Sequence, residues 1–180
     1  MLQAVSDGFV DEVKDVDVEA IPYPDSSIDL VIAKETFHHW PRPFLGLYEM
    51  IRVAKKYVAL IEPFDCLSGS TTPYIEDGQF HDAYEEVGNY KYQLSLREVL
   101  KAAWAMGLPA VKAKGFNDPY QQDLTFDKWK IQKQELDLQG EAGTRQFNLM
   151  ALIILKDASL LHTLCATGGR TYMPPKNPYL

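Results

Sequence analysis

The sequence is poor in cysteine, has fewer basic than acidic residues, and contains no long run of apolar residues. Its two cysteines, Cys66 and Cys165, lie about a hundred residues apart, so no metal-ligand spacing exists and we expect reduced thiols rather than a disulfide. The longest clean apolar run, Leu149–Leu155, is far shorter than the ~20 residues that cross a bilayer. No basic region leads into an apolar one near Met1, so no signal peptide is visible and a cytoplasmic location is expected.

Charge and length narrow the class of protein further. The 180 residues include 18 basic and 25 acidic side chains, which leaves a net charge of -7. Nucleic acid is therefore not an expected partner, because phosphate binding needs a basic surface. Apolar residues make up 46% and charged residues 24%, as in ordinary soluble globular proteins. The length is that of a single domain, and no membrane partner is expected.

The first half of the chain has the pattern of a strand, a helix and a second strand. Ile28–Ala33 is almost entirely apolar and rich in branched residues, as in a strand buried on both faces of a parallel sheet. Apolar residues from Phe44 onward recur at helical spacing, and Lys55 and Lys56 stand where cations favour the end of a helix. Tyr57–Ile61 is a second buried strand, so these segments predict one βαβ unit.

The flanking segments are less regular. Asp15–Val18 has the pattern of the end of a short strand. Residues 64 to 94 are polar and aromatic with little periodicity, which indicates a lid or substrate loop or, alternatively, a surface excursion. The later predicted elements are a helix opened by the capping box Ser95–Glu98 and closed at Gly107, a short strand Ala110–Gly115 for which an edge position is one option, a helix Phe126–Leu138 anchored by Trp129, and a last strand Phe147–Lys156.

The stretch between Val16 and Pro63 has a more specific pattern. It contains Asp-x-Glu-x-apolar-Pro-aromatic, then an apolar strand with Asp near its start, two adjacent histidines, a helix ending Glu-x-x-Arg-Val and a strand ending Glu-Pro. In this order and spacing these features resemble the middle of the class I S-adenosylmethionine-dependent methyltransferases that act on small molecules. The residues that carry the resemblance are Asp17, Glu19, Ile21, Pro22, Tyr23, Asp29, His38, His39, Glu49, Arg52, Val53, Glu62 and Pro63.

The resemblance implies an α/β fold, namely a Rossmann-like, mostly parallel sheet with helices on both faces and an antiparallel last strand. The N-terminal strands of that fold are missing from the sequence, and so is the Gly-x-Gly-x-Gly turn through which the backbone approaches the cofactor. We expect residues 1–165 to form a partial methyltransferase domain and residues 166–180 to form a loose tail. The chain is expected to be a fragment of a longer enzyme, with a natural truncation as the alternative.

The resemblance also implies which residues bind S-adenosylmethionine. The aspartate that matches Asp17 accepts a hydrogen bond from the adenine amino group, the backbone at Val18 contacts the ring, and Ala33 is small where the methionine part passes. The alternative for Asp17 is that it only caps a turn. Asp7 is a candidate remnant of the acid that holds the ribose. Without the glycine turn, this chain is expected to bind the cofactor poorly.

The adjacent histidines and Glu62 are the remaining candidates for the site. Neighbouring side chains point in different directions and no cysteine or third histidine is near, so no metal is expected. One histidine is expected to be packed and hydrogen-bonded to its loop. Alternatively, His39 lines the substrate pocket and takes a proton from the acceptor as the catalytic residue. Glu62 is a candidate because it lies at a strand end, whereas Arg52 is expected to be structural and to pair with a carboxylate or carbonyl.

The sequence therefore predicts an enzyme, or the larger part of one, that transfers a methyl group from S-adenosylmethionine to a small-molecule acceptor. The alternative is a truncated, non-catalytic methyltransferase-like module. A nucleotide-binding oxidoreductase of the same architecture is disfavoured by the Glu-x-x-Arg-Val and Glu-Pro run. Without a strand beside it, Ile28–Ala33 is expected to expose an unpaired edge, which favours self-association.

Overall fold

The computed structural model describes residues 5–8, 10–63, 75–76, 79–80, 92, 94–119, 124–143 and 147–176, with backbone only at 75–76 and 79–80. The elements are β1 (Ile28–Lys34), a 3₁₀ turn (Phe37–His39), α1 (Pro43–Val53), β2 (Ala54–Pro63), β3 (Ile75–Glu76), β4 (Gln79–Phe80), α2 (Leu96–Ala105), β5 (Ala110–Phe116), α3 (Phe126–Glu141), β6 (Leu149–Leu155), a second 3₁₀ turn (Ala158–Leu160), α4 (Leu161–Ala166) and β7 (Arg170–Tyr172). Among these residues, no helix combines the length and the apolar character needed to cross a membrane.

Five of the strands form one sheet in the order β1-β2-β6-β5-β7, and β3 pairs only with β4. β1 and β2 are parallel, whereas β6 is antiparallel to both of its neighbours and β7 is antiparallel to β5. β1, β2 and β5 therefore run in the same direction and end at the same edge of the sheet. The α/β architecture with a late antiparallel strand is confirmed, although only one of the four neighbouring pairs in the described sheet is parallel.

The main hydrophobic core lies between one face of the sheet and the helices α1 and α2. Alternate residues of each strand point to this face because successive side chains of a strand point to opposite sides. Val58 and Leu60 of β2 stand in register with Ile154 and Leu152 of β6, and all four are buried. The opposite face is covered around Leu155 by the short helix α4. Helices consequently cover both faces, as predicted, and the strand ends remain available for a site.

The predicted helix end at Lys55 and Lys56 is wrong, because α1 stops at Val53 and both lysines belong to β2. The cation at the end of α1 comes from a distant residue. Lys156 Nζ donates to the carbonyl of Ile51 at 2.8 Å and to that of Ala54 at 2.6 Å. A single ammonium from the end of β6 thus satisfies carbonyls that the helix leaves unpaired. Burial lowers the pKa of the Lys156 side chain below its ordinary value.

β5 is an interior strand and not an edge strand, because β7 pairs with it on the side away from β6. β7 lies in the stretch that was predicted to form a loose tail from Ala166. Lys112 of β5 is almost fully buried. Its ammonium donates to Leu164 O and to Thr167, including Oγ1 at 2.8 Å. The chain after α4 is thereby held against β5.

β1 is less buried than the sequence predicted. Leu30 and Ile32, which point away from α1, are 45% and 57% exposed, so the strand is covered on one face and not on both. Within the described residues, β1 pairs only with β2, and its other edge carries unpaired backbone groups. The expected unpaired edge is therefore present. An open edge of this kind, apolar from Leu30 to Ala33, is a template for another strand.

Ile32 provides a test of the expected self-association. Because a lysine on an exposed strand edge opposes pairing with a second strand, Ile32→Lys should shift the chain from concentration-dependent oligomers toward monomer in sedimentation velocity. Ile131→Lys is the matched control, since Ile131 is 59% exposed and lies on α3. This substitution removes a similar apolar surface but leaves the strand edge unchanged. Equal effects of the two substitutions, or a wild type that stays monomeric at high concentration, would count against association through β1.

Candidate functional site

The candidate site lies at the edge where β1, β2 and β5 end. Lys34 is the last residue of β1, Glu62 is the penultimate residue of β2, and Asn117 follows β5 directly. In open α/β sheets, ligands bind beyond the carboxyl ends of the parallel strands. Polar side chains from three strands are brought together here, although β1 and β5 are separated in the sheet by two other strands.

Glu62 is the central group of this edge and is only 1% exposed. Its Oε1 accepts hydrogen bonds from the backbone N–H groups of Thr36 and Phe37, both at 3.0 Å. Its Oε2 lies 2.6 Å from Nδ1 of His38. Three partners thus compensate the loss of water around a buried carboxylate, which is the condition for burying a charge without a large cost.

The backbone after β1 is shaped to reach this carboxylate. Glu35 has a positive φ of 51°, a left-handed conformation that is uncommon for a residue other than glycine. Its N–H donates to Ile61 O at 2.7 Å, so the chain turns over the end of β2. The 3₁₀ turn Phe37–His39 then follows, with the ring of Phe37 fully buried in the core.

His38 and His39 occupy different positions in this turn. The predicted packed histidine is His38, whose side chain is 21% exposed and bonded to Glu62. His39 is exposed, and its ring centroid lies 4.0 Å from that of His38. The structure therefore brings His38, and not His39, to the buried carboxylate. A catalytic role for His39 stays a prediction.

Asp17 lies in a turn and not at the end of a strand, so the strand predicted at Asp15–Val18 is wrong. Its Oδ1 accepts the N–H of Glu19 at 2.9 Å, and its carbonyl accepts that of Ala20 at 3.0 Å. The local hydrogen bonds replace the sheet hydrogen bonds that a strand would need. The carboxylate is exposed, so its second oxygen is open to a ligand.

Val18 and Ala33 are placed differently from each other. Val18 is half-buried and packs at the start of α1, where a Cβ on Gly46 would meet the ring of Trp40 at 2.7 Å and Val18 Cγ1 at 3.3 Å. Glycine at this helix position thus lets the segment approach α1 closely. Ala33 is buried in the main core, so only its backbone lies near the strand ends. Contacts of Val18 and Ala33 with a cofactor stay predictions.

Arg52 fixes the segment that follows Asp17, in the structural role that the sequence predicted. It makes a bidentate ion pair with Glu49, in which Nε donates to Oε1 at 2.7 Å and a terminal nitrogen donates to Oε2 at 2.8 Å. It also donates to the carbonyls of Ile21 at 2.8 Å and Tyr23 at 2.9 Å. Glu49 Oε2 in turn accepts the N–H of Ile21 at 3.0 Å. The hydrogen bonds from Arg52 and the backbone hold the pKa of Glu49 below its ordinary value, against the opposing effect of burial.

The residues after β5 were missed by the sequence analysis. Asp118 Oδ1 accepts Trp129 Nε1 at 2.8 Å, Oδ2 lies 3.4 Å from Lys34 Nζ, and its N–H donates to Asn148 Oδ1 at 2.9 Å. One aspartate thus connects β1, α3 and the chain before β6. Asn117 is fully buried, and its N–H donates to Asp137 of α3 at 2.6 Å. The available signal was an Asn-Asp pair directly after a strand.

The comparisons with known proteins give one family match. Residues 1–61 match the family model described as a methyltransferase domain. Over these residues, about a third of the chain, the sequence is similar to that domain. A comparison with curated proteins gives no match.

The fold of this chain is similar to that of a solved protein. The YcgJ protein of Bacillus subtilis is 16% identical with a TM-score of 0.54, and the match covers 86% of this chain and 75% of that protein. An S-adenosylmethionine-dependent methyltransferase of Archaeoglobus fulgidus is 14% identical with a TM-score of 0.49, and the match covers 81% of this chain and 67% of that protein. A putative methyltransferase of Haloferax volcanii was solved in complex with the Trm112 methyltransferase activator. It is 18% identical with a TM-score of 0.47, and the match covers 84% of this chain and 66% of that protein. This chain thus spans about two-thirds of the length of the last two proteins.

Glu49 gives a prediction for the stability of the site. Because its pKa is lower in the folded chain, its contribution is fully present above the unfolded value of 4.5 and is lost as the pH falls through the folded value. Glu49→Gln should therefore lower the free energy of unfolding at neutral pH by roughly 1–3 kcal/mol and flatten the fall in acid. Urea unfolding followed by tryptophan fluorescence measures both. The exposed Glu135→Gln is the control, and a Glu49→Gln variant as acid-sensitive as wild type would refute the assignment.

Proposed function

We propose that this methyltransferase domain transfers a methyl group from S-adenosylmethionine to a small-molecule acceptor. The observation that carries the proposal is the family match over residues 1–61, which includes the Asp17 turn, β1, the histidine turn and α1. β1 ends, and the histidine turn and α1 begin, at the edge of the sheet where Glu62 and Asp118 also lie. A ligand at this edge would meet side chains from β1, β2 and the chain after β5.

The residues present fit the adenine end of the cofactor. The carboxylate of Asp17 is exposed, and only one of its oxygens is used by the turn. The second oxygen is free to accept a hydrogen bond from an adenine amino group, an interaction strengthened by the negative charge. Arg52 and Glu49 would keep this turn in place through the segment at Ile21. When bound, the cofactor supplies a methyl group already activated by a sulfonium, so the protein contributes chiefly alignment.

A small molecule is the acceptor class that the charge favours. The net charge of -7 opposes the approach of a nucleic acid backbone. Basic groups at the strand ends are also paired, since Lys34 lies 3.3 Å from Glu35 and 3.4 Å from Asp118. Residues 64 to 94 are predicted to form a lid or substrate loop or a surface excursion, and within this range the structure describes only the β3–β4 backbone, Tyr92 and Leu94. Tyr92, one of the tyrosines of that loop region, packs against Phe37 and Phe44 in the core.

A second candidate function is a methyltransferase-like module without catalysis. Leu30 and Ile32 of β1 are 45% and 57% exposed and form an apolar surface of the kind that a partner covers. The exposed edge of β1 also favours a role in assembly. The two candidates differ in whether the Asp17 turn recognises adenine.

Adenosine and inosine test this point, because inosine lacks the amino group that Asp17 would bind. We expect adenosine to shift the backbone amide signals of Val18, Glu19 and Ala20 in a saturable manner in ¹H–¹⁵N spectra, and inosine to bind more weakly. Asp17→Asn keeps an oxygen for the turn but removes the charge, so the affinity for adenosine should fall by about 1–3 kcal/mol. Asp15→Asn is the matched control. Equal affinities for adenosine and inosine, or an unaffected Asp17→Asn variant, would favour the non-catalytic module.

A further inference from the structure

The pair His38–Glu62 has an arrangement that the family match does not assign. Both oxygens of the buried Glu62 are occupied, Oε1 by two backbone N–H groups and Oε2 by Nδ1 of His38. A carboxylate that accepts two backbone hydrogen bonds is stabilised in its ionised form. An ionised carboxylate only accepts hydrogen bonds, so the proton in the contact of 2.6 Å belongs to Nδ1 of the imidazole.

This assignment fixes the other nitrogen of the ring. In a neutral imidazole, one nitrogen carries the proton and the other is an acceptor. With the proton on Nδ1, the acceptor of His38 is Nε2. Because the Nδ1 side is turned toward a fully buried group, we infer that the exposed part of the ring, which gives His38 its 21% exposure, includes the Nε2 side. The same logic of an oriented histidine operates in serine hydrolases, where a carboxylate holds the imidazole in the correct tautomer.

We propose that His38 is a catalytic base of this domain, that Glu62 is its positioning residue, and that the acceptor carries a hydroxyl group. The proposal rests on the methyl-transfer function proposed above. A hydroxyl oxygen is a weak nucleophile until its proton leaves, so it gains most from a base with a free lone pair. In the reaction, a bond forms between the acceptor oxygen and the methyl carbon, and the bond from that carbon to the sulfonium sulfur breaks. Sulfur keeps the electron pair, and the hydroxyl proton moves to Nε2.

The surroundings of His38 are consistent with this role. The ring of His39 lies beside it, tilted by 46°. The charged groups at the adjacent end of β1 are Lys34 and Glu35, which pair with each other at 3.3 Å. On α1, which also packs against the turn, Glu49 is engaged by Arg52. The hydrogen bond from Tyr92 N–H to His38 O at 3.2 Å holds the backbone and leaves the imidazole unoccupied by it.

The tautomer of His38 is the first test, and it does not depend on turnover. In long-range ¹H–¹⁵N spectra of the full chain with labelled histidine, we expect the Nδ1–H form of His38 in slightly alkaline buffer. Glu62→Gln should turn the major form to Nε2–H, because an amide can donate to Nδ1. His39→Asn should leave the His38 signals in the Nδ1–H pattern and confirm their assignment. An Nε2–H form in the wild type would overturn the proposal.

The acceptor class is tested by two probes, one with a hydroxyl proton and one in which a methyl group replaces that proton. Phenol should shift the Nε2 signal of His38 in a saturable manner, and anisole, its methyl ether, should not. The response to phenol should be lost in Glu62→Gln and kept in His39→Asn. Equal responses to phenol and anisole, or no response to either, would overturn the proposal. Failure of adenosine to bind at the Asp17 turn would instead count against the methyl-transfer function, so the two failures are distinguishable.

Discussion

The burial of one carboxylate controls the arrangement of the candidate site. Glu62 stands near the end of β2 with almost no exposure to water, and an unpaired charge there would be strongly destabilising. Its partners are supplied by the chain that leaves β1, through two backbone N–H groups and His38. The ends of two neighbouring parallel strands are therefore coupled by a short set of hydrogen bonds. The position of the histidine turn, and with it the chemistry of the edge, depends on this coupling.

Further ion pairs stabilise both ends of the parallel strands. Arg52 and Glu49 of α1 hold the segment after Asp17, while Asp118 joins the end of β1 to α3 through Lys34 and Trp129. Each of these groups is hydrogen-bonded to backbone or to a second charged side chain, which offsets its loss of hydration. Asp118 thus acts at the carboxyl ends of the strands together with Glu62, whereas Arg52 acts where β1 and β2 begin. By contrast, β1 exposes apolar side chains on its open face.

Local patterns in the sequence predicted most of the fold, because periodicity and caps are local properties. The strand Ile28–Ala33 and the helix that ends at Gly107, which has a φ of 69°, lie where they were predicted. The features that the sequence did not predict depend on partners distant in the chain. The end of α1 is set by Lys156, about a hundred residues away, and Lys112 fixes the chain before β7. A lysine in a strand has the same sequence pattern whether it is solvated or caps a helix.

The candidate site was predictable in part for the same reason. The motifs indicated Asp17, the two histidines and Glu62, but the choice between adjacent histidines is made by a contact across 24 positions of the chain. The sequence pattern favoured His39 as the catalytic candidate, whereas the geometry brings His38 to Glu62. Asp118 had no motif of its own, because its partners lie in β1, α3 and the chain before β6.

Amide hydrogen exchange at Thr36 and Phe37 tests most directly whether Glu62 organises this edge. Both amides should exchange slowly in the wild type and in Glu62→Gln, which keeps an acceptor oxygen, and quickly in Glu62→Leu, which has none. The amides of β6 should stay protected in all three proteins, which shows that the sheet is intact. Slow exchange of Thr36 and Phe37 in Glu62→Leu would contradict the account.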